Sequence, residues 1–518
     1  MFYLDVQSPM QQFKIDRNSK IFVDKTMLID KVNEVMNTNQ RFICITRPRR
    51  FGKTMNANML AAYYTLGYES YELFTGLAIT KTEHYEKHLN KHHVIYINFS
   101  RMPFQCTSYN EYITNIYHKL CKDILNAYKL NDDFVSLEDL LKATNDSFIF
   151  IFDEWDSIFQ RQFMTNENKQ EFLDFLNDLL KDQPYVELAY MTGVLPITKY
   201  SSGSALNVFK EYSFINDHIY DTFFGFSEEE VHKLCDENKT ISYDEMKYWY
   251  DGYKLQNGQS LFNPRSVSSA LTDGVCLNYW TETGPMNEIA DCIGNNVDKV
   301  RDDIVKLVSE IPIDENLKGY SASDLELNNK DEIFSAMVVY GFLSYHDGKL
   351  RIPNHELMMK FEDVLEKENM GDVAEIVENS GNMLKATIRK ESDTVAQYLR
   401  EVHAREVPLL KYNDENSLSC VITLCYLKAR DYYHITREEH SGEGYADFIF
   451  HPLAEGYPAI VLELKYGRCA EEAIHQIKMK KYIDNLRKEK KILLVGINYD
   501  RDTKDHTCII EEYRESEA

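Results

Sequence analysis

Thr46-Arg47-Pro48-Arg49-Arg50-Phe51-Gly52-Lys53-Thr54 is the stretch that decides the fold. Before it, the apolar run Phe42-Ile43-Cys44-Ile45 reads as a buried strand. After it, Met55-Asn56-Ala57-Asn58-Met59-Leu60-Ala61-Ala62 reads as the first turns of a helix. Strand, turn, Gly-Lys-Thr and helix make a P-loop, where backbone N–H groups and the positive end of the helix dipole cradle phosphates. On this reading Arg47, Pro48, Arg49, Arg50, Phe51 and Gly52 wrap the phosphates of ATP. Lys53 reaches the β- and γ-phosphates, and the Thr54 hydroxyl sits on Mg²⁺. Glycine usually stands five residues before Gly52, and Arg47 stands there instead. A basic loop ending in a Gly-Lys-Thr turn therefore fits these residues equally well.

A second motif separates the two readings. Phe148-Ile149-Phe150-Ile151-Phe152 is continuously apolar, as a strand buried on both faces of a parallel sheet must be. Asp153-Glu154 follows at its carboxyl end, where open α/β sheets bind ligands. Asp153 is expected to hold the Mg²⁺ shell, and Glu154 to orient or deprotonate the attacking water. Either Asp153 or Asp156 also suits the N-cap of a helix over 155–163, and Asp156 is expected in that role. The strand Val186–Met191 ends at Thr192-Gly193, where Thr192 can sense the γ-phosphate or simply form a turn. Strands alternating with helices predict a doubly wound parallel sheet over residues 20–225.

Composition narrows the class. The 518 residues suffice for about three or four domains. A formal charge of −25 argues against a generic nucleic-acid coat, so nucleic-acid contacts must use local basic patches. Ten cysteines without a C-x-x-C pair give no metal spacing and suit reduced thiols. The opening Met1-Phe2-Tyr3-Leu4-Asp5 lacks a basic region and a long apolar core, and no apolar run approaches a membrane span. A cytoplasmic protein without membrane contact is expected.

The motif set resembles the predicted AAA-ATPase-like family of bacterial proteins. Arg47 to Thr54, Val23-Asp24-Lys25-Thr26, Asp153-Glu154 with Asp156, Thr192-Gly193-Val194, Leu206-Asn207, Tyr250-Asp251-Gly252-Tyr253 and Phe262-Asn263-Pro264 carry that resemblance. It implies that arginine in place of the first glycine is the family's own habit. Two departures stand out: Trp155 where the family tends to have tyrosine, and Arg265 where an apolar or aromatic residue is expected. No residue is assignable as an arginine finger.

From Phe226 to about 284 a helical, tyrosine-rich pattern resembles a lid, opened by Ser227 and Glu230 as a capping box. Tyr248, Trp249, Tyr250 and Tyr253 suit core packing more than a base-stacking platform. Further on, Asp347-Gly348 between alternating strands signals a hairpin. Preceding helices give it a winged-helix-like character, although its acidic neighbours suit a structural connector as well. Residues 371–412 read as helix.

The C-terminal stretch holds a second constellation. Tyr445–Phe450 and Ala459–Lys465 read as strands; a hairpin centred on Glu455 sets Asp447 opposite Glu463, with Glu463 and Lys465 on one face. Two carboxylates and a lysine at one spot suit Mg²⁺ or Mn²⁺ and attack of a metal-bound water on a phosphodiester. A surface hairpin with a Glu/Lys pair is the plainer reading, and the predicted helix 471–486, with Gln476 and Tyr482 on its inner face and Lys478, Lys480 and Lys481 nearby, weighs against it. A glycine and Asp447 on one strand, Glu463-Leu464-Lys465 on the next, then Gln476 and Tyr482 resemble the PD-(D/E)XK nuclease superfamily. That resemblance implies catalytic roles for Asp447, Glu463, Lys465 and Gln476, and an extra acid upstream, for which Glu415 is placed.

The expected architecture is α/β: a P-loop core (1–225), a helical lid (226–286), a helical or winged-helix-like connector (287–409) and a restriction-endonuclease-like α/β domain (410–518). The expected activity is ATP hydrolysis joined to metal-dependent cleavage of nucleic acid, DNA before RNA, with homo-oligomerisation left open. The rival is a nucleotide-gated protein whose nuclease-like domain binds nucleic acid or protein without cutting.

Overall fold

A computed structural model describes residues 1–131, 134–197, 206–214, 217–280, 284–317, 327, 329–367, 370–404, 415–486, 488–500, 502–503 and 505–513. Two compact units divide the chain: residues 1–282 with 315–356, and residues 283–314 with 357–518.

In the first unit, β1 (Phe42–Thr46), β2 (His93–Asn98), β3 (Phe148–Asp153), β4 (Val186–Gly193) and β5 (Lys210–Tyr212) form one parallel sheet in the order β2-β3-β4-β1-β5. Side chains alternate between its faces. Phe148, Phe150 and Phe152 enter a core with the helices Tyr109–Tyr128 and Asn166–Leu180, whereas Ile149 and Ile151 enter another with the helix Lys53–Tyr64. With both faces covered, β3 has no room for a polar residue before Asp153. Parallel pairing also gathers the strand ends, setting Asn98 against Asp153 and Thr46 against Gly193.

After the sheet come β6 (Phe226–Ser227), β7 (Tyr253–Lys254) and β8 (Ser260–Phe262), with the helices Glu228–Asn238, Tyr243–Tyr250 and Pro264–Asp273. Ser227 and Glu230 form the expected capping box. Tyr250 and Tyr253 are buried, and Tyr248 stacks on His355 with centroids 4.6 Å apart, so these rings pack rather than present a platform. Asp347 and Gly348, with φ of 51° and 74°, close the predicted hairpin between Ser344–His346 and Lys349–Arg351.

The second unit centres on a mixed sheet, β9 (Tyr433–Ser441), β10 (Gly444–Pro452), β11 (Ala459–Tyr466), β12 (Ile492–Asp500) and β13 (Asp505–Glu512), in sequential order. Only β11 and β12 are parallel, and the helix Ala470–Met479 makes the crossover that parallel neighbours need. Phe448 pairs with Leu462 and Phe450 with Ile460, the register of a hairpin centred on Glu455. The predicted helix over 471–486 stops early, at Met479. The Glu443 N–H takes the Lys480 carbonyl at 2.7 Å and Lys481 turns to φ 54°, so a tertiary hydrogen bond ends the helix. No described helix is long and apolar enough to cross a membrane.

Candidate functional site

Arg50 (φ 71°) and Gly52 (φ 88°) take left-handed backbone conformations that swing the chain from β1 into the helix Lys53–Tyr64. The free N–H groups of that helix's first turn point back at the loop. A cavity of about 690 Å³ opens here, lined by Arg49, Arg50, Gly52, Lys53, Thr54 and, across from them, Glu154 and Arg265 among others. Lys53 is buried, and its Nζ donates to the carbonyls of Arg47 (2.9 Å) and Pro48 (2.8 Å). Burial pulls its pKa down to about 8, against the attraction of Asp156, Asp153 and Glu154.

Three strands and the loop converge on Asp153. Its Oδ1 accepts from the Thr192 hydroxyl at 2.6 Å, its Oδ2 from Asn98 Nδ2 at 2.8 Å, and the Thr54 hydroxyl also bonds it. Burial raises the Asp153 pKa, and the two hydroxyls oppose that rise. Thr54 and Asp153 thus already meet as the pair of hard oxygen donors that Mg²⁺ takes. Glu154 sits on the cavity wall with φ 52°, a conformation few non-glycine residues hold and one that clusters at functional sites.

Four sequence expectations change here. Arg47 does not face the cavity: it is 1% exposed, pairs with Asp217, and donates to the carbonyls of Thr46 (2.9 Å) and Tyr212 (2.8 Å). Its own N–H is spent on the Gly193 carbonyl at 3.1 Å, and its Nε is buried without a partner among the described residues, away from the cavity lining. Pro48 is likewise buried, packed so closely on Gly341 that a Cβ there would stand 2.7 Å from it. Thr192 is fully buried and its hydroxyl is committed to Asp153, not to the cavity. Asp156 caps no helix: its Oδ2 accepts the N–H groups of Val194 (3.1 Å) and Leu195 (2.7 Å), and only a 3₁₀ turn, Ser157–Gln160, follows. The Trp155 ring explains the neighbouring glycine, since a Cβ on Gly193 would lie 2.5 Å from it.

In the second unit, the hairpin brings Asp447 to Glu463 and Lys465. Asp447 Oδ2 accepts the Leu464 N–H at 2.6 Å, across the ladder. Lys465 Nζ donates to Glu463 Oε1 at 2.8 Å and to the Leu464 carbonyl at 3.1 Å. Glu463 is 2% exposed; burial and then the Asp447 charge push its pKa up to about 7, while Lys465 pulls it back. Its Oε2 is buried without a hydrogen-bond partner. An orphaned oxygen beside a second carboxylate fits a hard divalent cation, which keeps several waters and needs only one or two carboxylates. Gln476 Nε2 donates to the Tyr482 hydroxyl at 3.2 Å, and Gly444 leaves room for that hydroxyl, which a Cβ would approach to 3.0 Å. Glu415 opens the helix Glu415–Cys425, and its side chain lies outside the described residues.

Residues 9–202 match the family model described as a predicted AAA-ATPase, and residues 413–508 that of the PD-(D/E)XK nuclease superfamily. The chain carries both domains. Among solved structures, this chain resembles the Walker-type ATPase PABY2304 of Pyrococcus abyssi at 12% identity, over 65% of this chain and 94% of that one, with a TM-score of 0.30. It also resembles the ORC2 protein of Aeropyrum pernix in its ADPNP-ADP complexes at 10% identity, over 70% and 95%, again with a TM-score of 0.30. Likenesses that slight place no residue. No curated protein matches.

Sequence reasoning passed over Asn98 and Asp217. Asn98 left a faint signal as the polar end of an apolar strand. Asp217 left none, because its partner Arg47 lies 170 residues away.

Proposed function

We propose that the AAA-ATPase-like domain binds and hydrolyses ATP with Mg²⁺, and that the PD-(D/E)XK domain cleaves nucleic-acid phosphodiesters, DNA before RNA, with Mg²⁺ or Mn²⁺. In the first, Lys53 leaves the carbonyls of Arg47 and Pro48 for the β- and γ-phosphates, an exchange that repays its burial. Thr54 and Asp153 hold the Mg²⁺, Thr192 and Asn98 keep Asp153 in place, and Glu154 orients the attacking water. In the second, Asp447 and Glu463 hold the cation, which supplies Lewis-acid activation of water when bound. Lys465 offsets charge developing on the phosphate, and Gln476 steadies Tyr482 beside the site. We place these activities in a core of 1–225 with a lid at 226–286, and in a domain at 410–518 beyond a connector at 287–409, in a cytoplasmic protein.

The observation that carries the cleavage reading is the buried, partnerless Glu463 Oε2 beside Asp447. The rival is a nucleotide-gated protein whose second domain binds nucleic acid or protein without cutting. The purified chain, incubated with ATP, Mg²⁺ or Mn²⁺ and a panel of single- and double-stranded DNA and RNA, decides between them. Phosphate release and cut products support the enzyme; retention of both ligands with neither product supports the rival.

A further inference from the structure

Next to the phosphate cavity the first unit buries a carboxylate that ATP hydrolysis as described leaves idle. Glu356 is 0% exposed, and the partners of its carboxylate are all donors. The Ser266 hydroxyl reaches both oxygens, at 2.8 and 3.1 Å, and the Tyr279 N–H reaches Oε1 at 2.6 Å. The Trp280 N–H bonds the same group.

Two of these donors adjoin cations of the cavity. The Tyr279 carbonyl accepts from Arg50 Nη1 at 3.1 Å, so Glu356 and the phosphate loop grip the backbone of one residue from its two sides. Ser266 follows Arg265 in the first turn of the helix Pro264–Asp273, where Asn263 Oδ1 accepts the N–H of both. Arg265 is exposed on the cavity wall and makes no side-chain hydrogen bond or ion pair among the described residues. Arg50 and Arg265 repel each other, whereas Glu356 attracts Arg50.

We propose that Glu356 is a positioning residue of the phosphate site, fixing Arg50 through Tyr279 and Arg265 through Ser266 so that both guanidinium groups face the bound polyphosphate. This rests on the reading of the cavity as an ATP site. Two like charges left to themselves move apart. The buried Glu356 charge, which attracts Arg50, opposes that drift. Arg265, the residue at which this chain departs from the expected apolar or aromatic one, thereby gains a role that depends on Glu356.

Glu356→Gln tests the idea, because it removes the charge and leaves the backbone N–H donors one neutral carbonyl oxygen, with the Ser266 hydroxyl turned to accept from the new NH₂ group. On the full chain, a fluorescent ATP analogue should bind about tenfold more weakly, the cost of replacing charge-assisted hydrogen bonds by neutral ones, and KM for ATP should rise alike. The value of kcat should stay within about twofold, since Asp153 and Glu154 are untouched. In an Arg50→Ala/Arg265→Ala background the same change should add less than about twofold, because it acts through those side chains. Parent-like affinity of Glu356→Gln, or a loss that adds in full to the double variant, overturns the proposal. Where Glu356→Gln does not fold, Ser266→Ala carries the test: weaker binding that vanishes in an Arg265→Ala background supports it, and unchanged binding overturns it. Lys53→Ala, run alongside, separates the two levels of inference. If it binds the analogue like the parent, the ATP-site reading itself fails, whatever Glu356 does.

Discussion

Arg47→Met is the change at which anchor and ligand roles for Arg47 diverge. The guanidinium is wholly buried with Asp217, donates to two carbonyls, and lies over Phe214 and Phe224 at 5.5 and 5.3 Å. Removing one partner of a buried ion pair costs about 3–5 kcal/mol, because the other charge stays desolvated. Asp217 keeps two N–H donors, from Ile219 and Tyr220, both at 2.8 Å. That favours the lower end, roughly 3 kcal/mol, a large part of a domain's usual 5–15 kcal/mol. All three tryptophans, Trp155, Trp249 and Trp280, belong to the first unit, so urea unfolding followed by tryptophan fluorescence reports on it alone. The midpoint should fall by about 1 M for a slope near 3 kcal/mol/M. Below the transition, ATP affinity should survive, since Arg47 is buried and does not line the cavity. A parent-like midpoint with lost ATP affinity would refute the anchor role and restore Arg47 as a phosphate ligand.

Thr192→Val removes the 2.6 Å hydrogen bond to Asp153 and should lower the ATPase kcat by about 10- to 100-fold, as expected for a bond to a charged group. ATP binding should persist, and an unchanged kcat would show that Asp153 needs no such support. Glu154→Gln should bind ATP and fail to hydrolyse it; equal turnover would remove Glu154 from catalysis. Because the Lys53 pKa is depressed to about 8 by burial, ATP affinity should decline as pH rises through about 8 and the ammonium is lost before binding. The same depression makes the nucleotide-free unit gain stability as pH rises from about 8 towards the unfolded lysine value. Affinity that stays flat from pH 7 to 9 would contradict the shift.

The fold was legible wherever local pattern and burial agree. The unbroken apolar run of β3 needed cover on both faces, and the acids behind it then had to sit at the sheet's ligand-binding end. The β10–β11 register followed from a turn centre and a period of two, which is why Asp447 and Glu463 could be brought together on paper. Reading failed where the deciding partner lies far along the chain. Arg47 answers to Asp217, Asp156 to Val194 and Leu195, the end of the helix Ala470–Met479 to Glu443, and Glu356 to Ser266 and Tyr279. Each of these is a hydrogen bond or ion pair whose two ends carry no shared periodicity, so nothing short of the packed chain reveals it.

Of all these experiments, single-turnover cleavage of nucleic acid with excess Mn²⁺, comparing Lys465→Ala with the parent, tests the two-activity account most directly. Lys465 Nζ stands 2.8 Å from Glu463 Oε1; in the proposed mechanism its loss leaves both carboxylates to hold metal and removes the ammonium that offsets developing phosphate charge. The account predicts cleavage slowed by about 100-fold or more, with the ATPase rate of the other unit unchanged. Equal cleavage by both proteins, or none by the parent on any nucleic acid, would contradict it.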